Sequence, residues 1–172
     1  MTTTEVDLQR AVEAFIFHET QLADESRYEQ WEQLWAADGT YWVPLTPYDD
    51  PYQDTSIIFD NRNRIAIRIR QLVEGRRPTQ TPKSRVRRVV SNIELVDAHT
   101  ELDLPEQLGP GHWDLGAHAN FVGVEAHEDR RNLIAGRTTY GLRRDGESFQ
   151  LVFKRVELVD SDLPLRTLSF LL

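Results

Sequence analysis

Apolar and polar positions alternate along residues 84–97 (SRVRRVVSNIELVD), with Val86, Val90 and Asn92 on one side and Val89, Ser91, Ile93 and Leu95 on the other. A period of two, rich in β-branched residues, is the signature of a strand. The stretch is far longer than the usual strand of roughly 5–6 residues, so it is expected to curve or carry a bulge and wrap a core. It reads as the central strand of a bent sheet.

The pattern ahead of it is helical. Thr4, with Asp7 three positions on, can cap a helix whose inner stripe is Leu8, Val12, Phe15, Glu19 and Leu22. Glu19 interrupts that stripe. A carboxylate there must reach the rim or meet a cation, and the arginines around Arg85 are the candidate partners. Ser26-Arg27-Tyr28-Glu29 has the form of a capping box for a second helix, on which Trp31, Leu34 and Trp35 share one face. Asp38-Gly39 is expected to end that helix in a turn.

Residues 40–45 form a short strand restricted by Pro44 to an edge or an end, and residues 56–59 form its partner across 41–43. Residues 46–53 (TPYDDPYQ) are a proline-rich loop with two tyrosines. Asp60 can cap the next helix, in which Ile65, Ala66, Ile69, Leu72 and Val73 recur at helical spacing up to the stop at Gly75. A loop over 76–83 leads into the long strand.

Beyond it lie a long loop over 99–115 and strands over 116–127, 133–144 and 147–160. Asp145-Gly146 signals a type I′ hairpin between the last two. The tail over 163–172 ends in Leu168-Ser169-Phe170-Leu171-Leu172 and should be buried on its own domain or against a neighbour. Helices first and strands last imply an α+β fold: three helices from the first half, packed on a long, curved, mainly antiparallel sheet that makes a cone with an apolar interior. One domain spans 1–172, with a helical part over about 4–75, the main sheet over about 84–160 and the tail over 161–172.

Composition narrows the function. Of 172 residues, 40% are hydrophobic and 28% charged, which fits a folded chain rather than a disordered one. The N-terminus lacks a basic region followed by an apolar run, and no apolar stretch reaches membrane-spanning length. The cytoplasm is therefore the expected compartment, with no membrane partner. The net charge of −8 speaks against nucleic acid. That charge is uneven: residues 61–88 hold ten basic side chains against Glu74 alone, a surplus of nine that leaves −17 on the rest of the chain. This segment is either a solvated surface pairing with acidic loops of the same chain, or a docking face for an acidic surface.

Without Cys the chain cannot supply thiolates to zinc or to an iron–sulfur cluster. Its five histidines, His18, His99, His112, His118 and His127, form no recognised metal motif. His112, Asp114 and His118 could be drawn as a two-His, one-carboxylate iron site, but they fall across a loop–strand junction rather than on rigid elements. A cone cavity could instead use a carboxylate base with Tyr or His donors, and the candidates are Asp38, Asp60, Tyr28, Tyr41 and His118. Each has a plainer role open to it: turn, helix cap, or packing.

Residues 82–93 (PKSRVRRVVSNI) resemble a segment of the small (beta) subunit of Rieske-type aromatic-ring-hydroxylating dioxygenases. Trp31-x-x-Leu34 running into Asp38-Gly39-x-Tyr41-Trp42-x-Pro44 is similar to the same family. So are Ala135-Gly136-Arg137, Leu142-Arg143-Arg144-Asp145-Gly146 and the closing Leu168-Ser169-Phe170. Thr167 stands where the family usually has Asn, and the loop over 99–115 matches no family pattern. The resemblance implies a cystatin-like or ketosteroid-isomerase-like cone. It implies a non-catalytic small subunit, with no catalytic, cofactor-binding or metal-binding residue of its own, that trimerises and joins a large alpha subunit as an α3β3 hexamer. The Rieske [2Fe–2S] cluster and mononuclear non-haem Fe(II) are then expected in the alpha subunit, with NADH electrons arriving through separate components to form a cis-dihydrodiol. The other readings are a free-standing cone-fold isomerase or dehydratase, and a small-ligand binder.

Overall fold

Val12, Phe15, Ile16, Glu19, Leu22 and Ala23, none more than 6% exposed, line the inner side of helix α1 (Thr3–Asp24). Their three- and four-residue spacing sets the stripe that rests on the sheet. The computed structural model describes residues 3–74, 83–97, 108, 113–161 and 170–172. After α1 come α2 (Tyr28–Gln33), β1 (Trp35–Pro44), β2 (Ser56–Asn61), α3 (Arg62–Glu74), β3 (Arg85–Val96), β4 (Leu115–His127), β5 (Arg130–Asp145) and β6 (Ser148–Leu158). The six strands run in the order β2-β1-β6-β5-β4-β3. All neighbours are antiparallel except β1 and β6, which are parallel.

The α+β architecture, the three helices and the four long strands at the end are as the pattern predicts. The long strand β3 is not central, however: it is an edge, and β6 and β5 hold the middle. It does carry the expected bulge. Asn92 has φ of 50° and the pairing with β4 slips between Ser91 and Glu94. The slip changes which parity faces inward. Val86 and Val90 face the core before the bulge, and Ile93 and Leu95 face it after, although simple alternation puts them on opposite sides.

Local chemistry differs at several further points. Ser26 does not cap α2; it takes φ of 57°, and Arg27 occupies the cap position without a side-chain bond. The helix stops at Gln33, so Trp35, Asp38 and Gly39 belong to β1, whose pairing with β6 begins at Trp35 and slips before Thr40, leaving Asp38 and Gly39 in the irregular stretch. The two indoles still meet, edge to face at 5.3 Å. Asn61, rather than Asp60, accepts a backbone N–H of α3, from Arg64. The 145–148 hairpin has positive φ at Gly146, its first central residue, and not at Glu147, which is the II′ pattern instead of I′. The predicted stop at Gly75, residues 76–82 of the first loop, residues 99–107 and 109–112 of the second, and residues 162–169 of the tail lie outside the described residues.

The helices cover one face of the sheet. On the other, a second cluster of Ala36, Trp42, Leu108, Trp113, Val152 and Phe153 covers the β1–β6–β5 region. The Trp113 ring packs against the strand at Gly141, where a Cβ would fall 1.1 Å from the ring, so only glycine admits it.

Candidate functional site

The interior of the cone is built around Lys154. On β6 it shares inward parity with Val156 and Leu158, and its cross-strand neighbours are Tyr41 on β1 and Tyr140 on β5. That register sets the ammonium among three rings, with centroids of Trp31, Tyr41 and Tyr140 at 5.7, 5.9 and 5.7 Å. Lys154 Nζ donates to Glu19 Oε1 at 2.6 Å and to the Leu172 backbone oxygen at 2.7 Å. Trp31 Nε1 also donates to Glu19 Oε1, at 2.5 Å, and Tyr140 Oη reaches Oε2 at 3.5 Å. The predicted need of Glu19 for a cation is therefore met, but by Lys154. Arg88, one of the expected partners, bonds Asp24 instead, through Nε at 2.7 Å and backbone N at 2.8 Å.

Burial pushes the Lys154 ammonium below its usual range, against the pull of Glu19. Burial likewise raises the Tyr41 and Tyr140 phenols well above theirs, so both stay neutral. Phe170, Leu171 and Leu172 fill the rest of the interior, at most 6% exposed. Leu172 is held by Tyr41, whose hydroxyl accepts from its N–H at 3.1 Å. The free space beside Lys154 and Tyr140 is about 10 Å³, room for a single water, whereas a small-molecule site needs roughly 300 Å³ or more.

The carboxylate and donor candidates do not assemble. Tyr41 is interior, but its hydroxyl is engaged with Leu172. Tyr28 is buried in the main core. Asp60, 2% exposed, pairs with Arg68 at 2.6 Å and Arg64 at 3.3 Å. Asp38 is at the surface in a two-bond pair with Arg143, at 2.9 and 2.7 Å. His118 sits half-buried beside Thr139, 3.0 Å from its hydroxyl. Burial, then the charge of Arg137, hold its imidazole below the usual range, with Glu94 opposing. Asp114 accepts the Arg144 N–H at 2.9 Å, and His112 is outside the described residues. Among the described residues no three His, Asp or Glu side chains group as metal ligands. Lys154 carries no sequence signal beyond its being a lone charge at inward parity in an apolar strand.

Among the described residues, one larger hollow, about 510 Å³, lies outside the cone as an open cleft at the start of β3 between Asp24, Glu25, Lys83 and Arg85. Beside it, among the described residues, the outer face of β3–β5 is uncovered, with Val89, Val122, Val124 and Leu133 45–69% exposed.

A sheet wrapped on helices, with an interior packed among the described residues by its own side chains, defines a filled α+β cone of the cystatin-like class. An NTF2-like protein with a cystatin-like fold from Novosphingobium aromaticivorans shares it: TM-score 0.59 at 14% identity, covering 91% of this chain and 85% of that one. A chain of naphthalene 1,2-dioxygenase with indole bound matches at TM-score 0.76 and 16% identity, over 97% of this chain and 86% of that one. In sequence, the small oxygenase component of the p-cumate 2,3-dioxygenase system of Pseudomonas putida is 27% identical over 147 residues, 84% of this chain and 75% of that one. The profile described as "Ring hydroxylating beta subunit" matches residues 18–164. The chain belongs to the ring hydroxylating beta subunit family.

Proposed function

We propose that this chain is the non-catalytic small subunit of a multicomponent aromatic-ring-hydroxylating dioxygenase of the cytoplasm. It supports a large alpha subunit in an α3β3 assembly and trimerises within it. The observation that carries the non-catalytic role is the filled cone: the place where a cone-fold enzyme would hold substrate is occupied by Lys154, Glu19 and residues 170–172. The absence of Cys supports placing the Rieske [2Fe–2S] cluster in the alpha subunit, since that centre needs two thiolates. The mononuclear Fe(II) belongs there too, with NADH electrons delivered by separate components. The chain itself then contributes no catalytic, cofactor-binding or metal-binding residue.

The test is to isolate the tagged chain from its native cells without crosslinking, weigh the complex and assay its iron. A stable complex with an equal amount of a larger iron-carrying chain is expected. An iron-free oligomer of this chain alone, turning over a substrate, would overturn the reading in favour of an isomerase or dehydratase.

A further inference from the structure

Strand register lays the exposed residues of the outer face in rows. Arg85, Ala126 and Arg131 form one; Arg87, Val124 and Leu133 the next; then Val89, Val122 and Ala135; then Ser91, Asn120 and Arg137. Val159, 75% exposed, extends the third row through its N–H bond to the Ala135 oxygen. The result is an apolar band rimmed by four exposed arginines, Arg85, Arg87, Arg131 and Arg137. An apolar patch with a charged rim has the composition of a protein interface.

The same chain carries a surface of complementary chemistry. The loop between β1 and β2 holds Asp49, Asp50 and Asp54, with no basic residue over 46–55. It presents Tyr48 at 94% exposure and Tyr52 at 56%. The loop is already ordered. Asp49 accepts from the N–H groups of Leu45 and Thr46, both at 2.8 Å, and from the Thr46 hydroxyl at 2.6 Å. Asp50 accepts from Tyr52 N at 2.9 Å, and Arg155 holds the Pro47 oxygen at 2.5 Å. A preset loop loses little freedom on docking, and tyrosine is favoured as an interface anchor.

Loop and patch belong to opposite edges of the sheet, β1–β2 and β3–β5, too far apart in topology to cover one another. Patch against patch would set four arginines against four. Loop against patch sets three carboxylates and two tyrosines against arginines and valines.

We propose that the 46–54 loop of one copy docks on the arginine-rimmed valine face of the next, a head-to-tail contact. Such contacts propagate into a ring when the rotation closes. This deepens the proposal that the small subunit self-associates and rests on it.

Two full-length variants test it. L133D places a carboxylate in the patch and Y48R a cation on the loop; both positions are mainly exposed, and circular dichroism checks that each variant folds. Sedimentation velocity at low salt reads the mass. Each variant alone is expected to be monomeric, with self-association weakened about thirtyfold or more. Mixed, they are expected to associate again, because L133D keeps the loop and Y48R keeps the patch, which restores one native junction, while the other junction sets the introduced cation against the introduced carboxylate. An oligomeric wild type whose mass either variant preserves, or a mixture that stays monomeric, overturns the docking while leaving self-association standing. A monomeric wild type overturns both.

Discussion

Glu19 and Lys154 are each at most 2% exposed in their side chains, and neither charge reaches bulk solvent. A buried pair adds little net stability, but removing one partner strands the other. Lys154→Met is therefore expected to lower unfolding free energy by about 3–5 kcal/mol in urea denaturation, and Lys154→Met with Glu19→Leu to recover most of that loss. A single variant as stable as wild type would show that Glu19 does not depend on the ammonium. Half of this pair is readable locally: a carboxylate in an apolar helical stripe must find a cation. The identity of the cation is not, because it lies 135 positions away and arrives only when β6 pairs with β1 and β5.

Among the elements, β3 shows what periodicity conveys and what it leaves out. Alternation announces a strand and its length a bulge, but parity is read correctly only once the slipped residue is known. Asn92 is that residue, and Asn is among the few non-glycine types that tolerate its positive φ. Asn92→Gly should leave the thermal midpoint near or above wild type. Asn92→Val should destabilise by about 1–2 kcal/mol, since a β-branched side chain clashes in the left-handed region. Equal midpoints for the two would mean the backbone relaxes there. Edge or centre is a property of pairing partners, and both kinds of strand can alternate.

At the scale of the whole molecule, the closed interior makes alkaline stability a report on the fold. Tyr41 and Tyr140 titrate near pH 10 when unfolded and higher when folded. Above about pH 10 the unfolded state therefore binds fewer protons, and stability falls by about 1.4 kcal/mol per pH unit for each tyrosine. Lys154, with its folded pKa lowered, works in the opposite sense, but only up to about pH 10.4, where unfolded lysine also loses its proton. Tyrosinate absorbance for these two residues should thus rise together with loss of the circular dichroism signal. Tyr140→Phe should move that alkaline midpoint upward. Free ionisation of both phenols in a folded chain would contradict the closed interior.

Helical stripes, strand alternation and the order of elements are local properties, set by side-chain spacing along the backbone, and the amino-acid sequence by itself determined the α+β cone, the long strand β3 and the resemblance to dioxygenase small subunits. The parallel pairing of β1 with β6, the edge position of β3 and the partner of Glu19 depend on contacts between segments far apart in the chain. Only the tertiary structure decided those. It also decided that Asp38, Asp60, Tyr28, Tyr41 and His118 do not meet, because a cavity site requires convergence in space, and the space where they would converge is filled by Lys154 and the 170–172 segment.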